Sequence, residues 1–155
     1  MISDELRELS KAKTTAFRFL KIRERSVFEL RQKLALKKLS PEAINGAIDF
    51  LLTKKFLDDQ TFARNWIRYR QSRPLGPARI RMELQQKGVD KEIIAEELEL
   101  AFSEVNQEET VLDLASRRAA RYRKDDPVKR KRKVFDFLAR RGYSLDIITK
   151  AIKKI

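Results

Sequence analysis

Hydrophobic positions recur every three or four residues along almost the whole chain, which is the spacing of amphipathic α-helices. An alternation of hydrophobic and polar residues, which would indicate a β-strand, is not sustained in any segment. The chain has only four glycines and four prolines, and most of them stand where helices are expected to end. The pattern therefore predicts an all-α protein.

Two helix starts carry capping signals. Glu29 follows Ser26 by three residues, so each side chain can bind the free backbone N–H of the other at the start of a helix. Asp58 and Asp59 precede another amphipathic segment, where a carboxylate caps the first amides and favours the positive end of the helix dipole. Because capping explains this pair of aspartates, we do not expect them to hold a catalytic metal.

A segment of about 15 residues occurs three times when the chain is aligned on Leu34, Leu84 and Leu138. The copies read LALKKLSPEAINGAI, LQQKGVDKEIIAEEL and LARRGYSLDIITKAI. Each has a cation, an apolar residue, a capping Ser or Asp, an acid and paired apolar residues at matching positions. The aligned leucines belong to a predicted apolar stripe, whose other members are Leu30, Ile80 and Val134 upstream and Ile44, Ile94 and Ile148, then Ile48, Leu98 and Ile152, downstream. Such a period is typical of arrays whose units bury their faces against neighbouring units.

Each copy leaves room for one more helix upstream, and suitable segments are 11–24, 59–73 and 107–124. The sequence thus predicts three tandem three-helix repeats in a single continuous repeat domain. The predicted repeats are 1–57, 58–104 and 105–155, the last one strongly basic. We expect the array to be elongated and curved.

A surplus of cations narrows the choice of function. The formal charge of +13 attracts polyanions; nucleic acid is the commonest inside cells, although an acidic protein surface or a membrane would also fit. The first repeat has 13 basic and 7 acidic residues, the second 8 and 9, and the third 15 and 7. The first and third repeats are therefore basic, and the second is nearly neutral. This distribution suits a protein that binds along an extended polyanionic assembly better than a protein with one compact site that reads a DNA groove.

Cysteine and histidine are both absent. This removes disulfides, thiolate metal sites, the usual zinc ligand and the usual base of neutral-pH catalysis. The sequence also lacks a Gly-rich phosphate loop with a lysine and any nucleophile constellation. We therefore predict a protein that is not an enzyme and has no cofactor and no metal.

The N-terminal segment MISDELRELS is acidic and amphipathic rather than basic and then apolar. No apolar run approaches the roughly 18 residues that a membrane-spanning helix requires. We therefore expect a soluble cytoplasmic protein that makes no membrane contact.

Cations opposite the apolar helix stripes are the candidate contacts with an anionic partner. They are Arg64 and Arg68 on 59–73, Arg117, Arg121 and Lys124 on 107–124, and Lys129, Lys133 and Arg140 on 128–141. Basic solvated faces are common in a basic protein, but the segment 117–133 gathers ten cations against two acids. Phe62, Trp66 and Tyr69 share one helix face, a spacing that favours core packing over base stacking.

Four segments in this order resemble the RecX family of bacterial recombination regulators, over nearly the whole chain. They are RERSVFELRQKL (23–34), FLDDQTFARNWIRYR (56–70), GPARIRMELQQKGVD (76–90) and LARRGYSLDII (138–148). The resemblance implies an all-helical repeat fold that binds the RecA recombinase and its nucleoprotein filament. It further implies inhibition of ATP hydrolysis and strand exchange, hence modulation of recombination and DNA repair, without catalytic residues of its own. We expect the protein to be a monomer.

The first repeat departs from the family pattern at one turn. Lys38 stands where the family often has a glycine, whereas Gly88 and Gly142 occupy the equivalent positions of the later repeats. Because glycine adopts the left-handed conformation without steric cost, we expect the first turn to take up this difference in another way.

A helix-turn-helix DNA-binding protein is the main alternative, because Leu84, Gly88 and Ile94 have the spacing of its turn. The recognition helix would follow Asp90, and it carries four glutamates that phosphates would repel. These are Glu92, Glu96, Glu97 and Glu99. The equivalent helix of the third repeat has three lysines, Lys150, Lys153 and Lys154, which leave weak, sequence-independent DNA contact open there.

Overall fold

The computed structural model describes residues 3–155, and within this range the chain forms nine α-helices and no strand. The helices are α1 (Asp4–Ile22), α2 (Val27–Ala35), α3 (Pro41–Thr53), α4 (Asp59–Gln71), α5 (Pro77–Gln86), α6 (Lys91–Phe102), α7 (Gln107–Ala120), α8 (Pro127–Arg140) and α9 (Leu145–Ile152). Met1 and Ile2, with which the first predicted repeat and the amphipathic N-terminus begin, lie outside the described residues. The prediction of an all-α repeat fold is confirmed.

The helix starts follow the predicted caps, with one difference. At Ser26 both bonds of the capping box are present: Glu29 N–H donates to Ser26 Oγ (3.1 Å) and Ser26 N–H to Glu29 Oε1 (3.2 Å). Asp58 caps α4 by accepting from two of its first amides. Asp59 does not cap this helix, because its carboxylate accepts from the N–H of Val27, at the start of α2 (2.8 Å).

Asp59 is half-buried at this contact. Burial raises the pKa of its carboxyl, the neighbouring Asp58 and Glu29 raise it further, and the hydrogen bond from Val27 opposes them. The second aspartate of the pair therefore ties the start of α4 to the start of α2, a role that capping alone did not predict.

The chain divides into two compact units, Met1–Asn65 with Leu84–Ile94, and Trp66–Glu83 with Ala95–Ile155. In the first unit α1 packs against α2 and α3. Its core includes Leu30, Leu34 and Ile48, all predicted for the apolar stripe, and the small residues Ala12 and Ala16, which let α1 approach closely.

The core of the second unit lies where α7 packs against α8 and α9. Val134, Leu138 and Ile148 are fully buried there, together with Val111 and Ala115 of α7. Ile44 of the first unit, which aligns with Ile148, is buried as well, whereas Ile152, which aligns with Ile48, is half-buried. Three positions of the predicted stripe are thus buried in both units, so the alignment of the repeats is physically meaningful. The corresponding residues of the middle repeat are buried as well, namely Ile80, Leu84, Ile94 and Leu98.

In the first unit, the turn after α5 packs on the N-terminus of α2. The Ser26 hydroxyl donates to the carbonyl of Lys87 (2.5 Å), and Lys87 Nζ lies 3.4 Å from Glu29 Oε2. Gly88 has φ +73°, and a Cβ at this position would lie 2.4 Å from Cβ of Phe28. Both the backbone conformation and the space therefore require glycine.

In the second unit, the turn after α8 packs in the same way on the N-terminus of α5. Gly76 N–H donates to the carbonyl of Arg141 (2.7 Å) and Ala78 N–H to that of Gly142 (3.2 Å), so the turn satisfies amides that a helix start leaves unpaired. Gly142 has φ +88°, and a Cβ there would lie 2.3 Å from the backbone nitrogen of Arg79.

The turn of the first repeat adopts the same left-handed conformation without a glycine. Lys38 has φ +57°, so the expectation that this turn would differ is wrong. Lys38 is exposed, and a side chain therefore fits where the tightly packed turns at Gly88 and Gly142 have no room for one.

Candidate partner-binding surface

The cations of α7, α8 and the turn between them form two sets, one exposed to solvent and one half-buried. Five of the candidate residues of this region are exposed to solvent: Arg117, Arg121, Lys124, Lys129 and Arg140. Other cations of the same region are half-buried and contact aromatic rings or carbonyls of the third repeat. The exposed cations are the ones available to a partner, and we define these five candidate residues as the basic face. Arg123 and Arg132 of the same region are exposed as well.

Two half-buried arginines cover one aromatic ring. The guanidinium carbon of Arg118 lies 4.4 Å from the ring centroid of Phe137, and that of Arg141 lies 5.0 Å from it. Arg118 also approaches the ring of Tyr122 (5.6 Å). Such cation–π contacts stabilise the fold when the cation is partly desolvated, and the arginine stems shield apolar surface from water.

Lys133 belongs to this inner set, which corrects the prediction that it lies with Lys129 on the solvated face. Its Nζ is 2.7 Å from Asp125 Oδ2 and 4.7 Å from the ring centroid of Tyr122, and the side chain is half-buried. The hydrogen bond from Lys133 lowers the pKa of the Asp125 carboxyl. Arg130 donates to the backbone carbonyl of the same aspartate (3.2 Å).

Helix α7 ends four residues earlier than predicted, at Ala120. Arg121 caps its C-terminus, and Lys124 lies in the turn that leads to α8. Lys124 is therefore exposed, but it does not share a helix face with Arg117. Arg117 pairs with Asp113 one turn earlier (3.1 Å), and because both side chains are exposed this pair stabilises the helix little.

On α4, Arg64 and Arg68 are exposed, as predicted for the face opposite to the buried Phe62. The predicted apolar stripe is only partly right, because Tyr69 is 50% exposed. Trp66 is half-buried, and its indole N–H donates to Glu83 Oε2 (3.0 Å).

Glu83 is the main polar anchor of the second half of α4. It accepts hydrogen bonds from Trp66 and from the guanidinium of Arg70 (2.5 and 2.9 Å). Burial opposes ionisation of Glu83, but these hydrogen bonds outweigh it and lower the pKa of the carboxyl. Arg70 is thus held inside the repeat, and Arg64 and Arg68 are the exposed arginines among the candidates on this helix.

Neither a metal centre nor a membrane segment is found in the part of the chain that the structure describes. Residues 3–155 contain no group of three or more acidic, His or Cys side chains placed to hold an ion. None of the helices described is long and apolar enough to cross a bilayer.

The fold and the chemistry together define an all-α protein of three-helix repeats with an exposed basic face on the third repeat. Three family models match along the chain: the first three-helix domain of RecX over residues 12–51, the second over 58–98 and the third over 106–152. The chain belongs to the RecX family, whose members are regulatory proteins and not enzymes.

Several relatives show the same similarity. The chain is 38% identical over 128 residues to the regulatory protein RecX of Clostridium botulinum (strain Eklund 17B), covering 81% of this chain but only 59% of that relative. It is 37% identical over 134 residues to the regulatory protein RecX of Pseudomonas putida (strain KT2440), with 86% and 84% of the two chains covered. The crystal structure of RecX from Lactobacillus salivarius superimposes with a TM-score of 0.84 at 27% identity, over 95% of this chain and 96% of that one.

Proposed function

We propose that this protein binds the RecA recombinase and its nucleoprotein filament, inhibits filament ATP hydrolysis and strand exchange, and thereby modulates recombination and DNA repair. The observation that carries the proposal is the basic face of the third repeat in a member of the RecX family. Its cations remain exposed, whereas Arg118, Arg141 and Lys133 contact rings and a carboxylate of the same repeat.

Electrostatics supports a filament as the target. A nucleoprotein filament repeats along its axis and exposes phosphates, and the basic face attracts such a polyanion over the range of the screened field. A protein of tandem repeats presents several outward cations along its own chain, here on α4, α7 and α8. Binding would bridge or wedge neighbouring protomers, so that cycles of nucleotide hydrolysis or filament growth stop.

The proposal is tested by removing the outward cations of α7 and of the turn after it. The variant Arg117→Ala/Arg121→Ala/Lys124→Ala is expected to bind preformed filaments more weakly and with a smaller salt dependence, with helicity unchanged because all three side chains are exposed. The charge-matched control, Lys11→Ala/Lys33→Ala/Lys91→Ala, removes three exposed cations elsewhere and should retain affinity. Unchanged affinity of the first variant would remove this face from the binding site.

Arg64 and Arg68 form a second candidate contact on α4, tested by charge reversal to Glu. We expect weaker filament binding by a folded protein, because both side chains are exposed. Loss of helicity in circular dichroism would instead show that these arginines stabilise the fold.

The alternative is a sequence-nonspecific or helix-turn-helix DNA-binding protein. Glu92, Glu96 and Glu99 of α6 are exposed, so a major groove would repel this helix. In the third repeat Lys150, Lys153 and Lys154 are all exposed, but Lys150 pairs with Glu108 (2.8 Å). We therefore propose at most weak direct DNA contact there.

We further propose that the protein acts as a monomer in the cytoplasm, where recombinase filaments assemble on chromosomal DNA. Light scattering after size-exclusion chromatography tests the first part. A mass near 18.3 kDa is expected, and a mass of twice that value would contradict it.

A further inference from the structure

Three phenylalanines of the first repeat form an aromatic cluster at the surface. Phe17 of α1 lies between Phe56, which follows α3 (ring centroids 5.2 Å apart), and Phe50 of α3 (6.5 Å). Phe56 is 58% exposed and Phe17 is 39% exposed. Large rings dominate cores because burying them is favourable, so two neighbouring rings held at the surface indicate a binding site.

Four lysines surround these rings. Lys13 Nζ lies 4.1 Å from the ring centroid of Phe50. Lys21 follows Phe17 by one helical turn and so lies on the same face of α1, and Lys54 and Lys55 immediately precede Phe56. In the described part of the chain no ion pair involves these four lysines, although Glu24 and Asp58 line the same hollow as Lys55 and Phe56.

The turn after α3 places Lys55 beside the aromatic cluster. Helix α3 ends in a Schellman motif, in which Phe56 N–H donates to the carbonyl of Leu51 (2.9 Å) and Lys55 N–H to that of Leu52 (3.1 Å). Lys55 takes the left-handed position with φ +59°, which glycine adopts without steric cost. Its side chain is exposed, so packing does not explain the lysine. The turn therefore presents the exposed Lys55 directly before the exposed ring of Phe56.

We infer that Phe17 and Phe56, with Lys13, Lys21, Lys54 and Lys55, form a binding surface for single-stranded nucleic acid. Proteins that bind single strands without sequence preference combine exposed aromatic rings, on which bases stack, with cations that contact phosphates. The rings of Phe17 and Phe56 meet at 77° and form a corner, so a base stacked on one ring also contacts the edge of the other. We call these six residues the aromatic–lysine surface.

A single strand fits this surface better than a duplex or an acidic protein segment. In a duplex the faces of the bases are stacked on each other and cannot reach Phe56, and an acidic segment would use the lysines without requiring flat rings. The proposal goes beyond the proposed recombinase regulation, because the surface binds naked strands. Its test contains no recombinase, so a negative result would not contradict the role proposed for the basic face of the third repeat.

The test measures fluorescence anisotropy of a labelled oligothymidylate with the full chain, beside an abasic oligonucleotide of the same length and charge. Phe56→Ala is expected to weaken thymidylate binding about tenfold, because stacking contributes that order of affinity for each base. The same substitution should leave binding of the abasic strand unchanged, since only the bases contact the ring. Phe56→Trp should restore binding, whereas Phe56→Leu, which is apolar but has no ring, should not.

The lysine part of the surface has a matched control. Lys55→Gly relieves the left-handed backbone and removes one cation, and Lys38→Gly makes the same change at Lys38, the exposed left-handed lysine of the turn after α2. We expect only Lys55→Gly to weaken thymidylate binding and to reduce the slope of log affinity against log salt by about 0.7, the value for one phosphate contact on a single strand. Both variants should remain folded in thermal melts.

Two results would overturn the inference. One is equal affinity of Phe56→Ala and the unmodified protein for the thymidylate strand. The other is an equal loss of affinity for the thymidylate and abasic strands, which would show that the aromatic cluster contacts something other than bases.

Discussion

The first and third repeats have the same order of helices but place their cations and aromatic rings in opposite ways. In the third repeat Arg118 and Arg141 cover the ring of Phe137, and these charges stabilise the fold. In the first repeat Phe17 and Phe56 are exposed beside unpaired lysines. The number of cations in a repeat therefore does not measure its capacity to bind a partner, because the neighbours of each cation decide whether it is available.

The turns at the left-handed positions show a second contrast. Gly142 packs against the backbone of Arg79 and supplies a carbonyl to the start of α5, whereas Lys38 is exposed. The left-handed conformation thus has no steric cost at the packed turn, because the residue there is glycine. At the exposed turn the residue is lysine, and the same conformation is strained.

The largest expected effect comes from filling the packed turn. Gly142→Ala should lower the free energy of unfolding by about 3 kcal/mol or more, because it adds left-handed strain to a contact of 2.3 Å with backbone. The control is Gly46→Ala in α3, where the nearest atom is the flexible end of Leu9 and alanine favours the helix. Urea titrations measure both, and similar losses would show that the packed turn is not special.

A smaller effect should separate the inner cations from the basic face. Arg118→Ala is expected to lower the free energy of unfolding by about 1–2 kcal/mol, because the guanidinium stacks on Phe137 and its stem covers apolar surface. Arg121→Ala, three residues later and exposed, should change it by less than about 0.5 kcal/mol. Equal stabilities of the two variants would remove the distinction between the two sets of cations.

Relief of the exposed turn should increase stability. Lys38→Gly is expected to raise the free energy of unfolding by about 0.5–1 kcal/mol, because the gain from releasing the left-handed strain exceeds the added entropy of glycine in the unfolded chain. The melting temperature measures the change. A lower melting temperature would show that Lys38 makes a contact that outweighs its strain.

The smallest effects concern two aspartates whose pKa values move in opposite directions. Asp125 has a lowered pKa because Lys133 donates a hydrogen bond to it, so its contribution to stability is present above the unfolded pKa and is lost as pH falls through the folded pKa. Asp59 has a raised pKa because of burial, so it favours the folded state at low pH and this contribution is lost as pH rises through the folded pKa.

Carboxyl titration by NMR checks both directions. Asp125 should titrate below the usual aspartate range and Asp59 above it. Lys133→Ala should return Asp125 to the usual range and leave Asp59 unchanged. A single titration midpoint for both aspartates would contradict the assigned environments.

Much of the fold could be predicted from the sequence, because helical periodicity and capping residues act locally. The stripe Leu30–Leu34, its third-repeat equivalent Val134–Leu138 and the capping box at Ser26 all appear as predicted. Tyr69 was assigned to the wrong environment, since periodicity identifies a helix face but not how far the neighbouring element covers it.

The binding surface was harder to predict, because it depends on contacts between helices. The phase of Lys133 on α8 predicts the solvated face, but Asp125 and Tyr122 lie across from it. The helical pattern predicts Lys124 on the same helix as Arg117, but this helix ends at Ala120. The exposure of Phe17 and Phe56 could not be predicted from the sequence. The spacing of an aromatic residue is the same whether or not another element covers its face of the helix.

The central claim is that this member of the RecX family acts on the recombinase filament and not on DNA alone. The most direct measurement is the ATP hydrolysis rate of preformed RecA filaments on single-stranded DNA as the protein is added, with binding to naked DNA measured in the same salt. The account predicts strong inhibition at concentrations where naked DNA is barely bound. Inhibition only after the DNA itself is coated, or no inhibition at all, would contradict it.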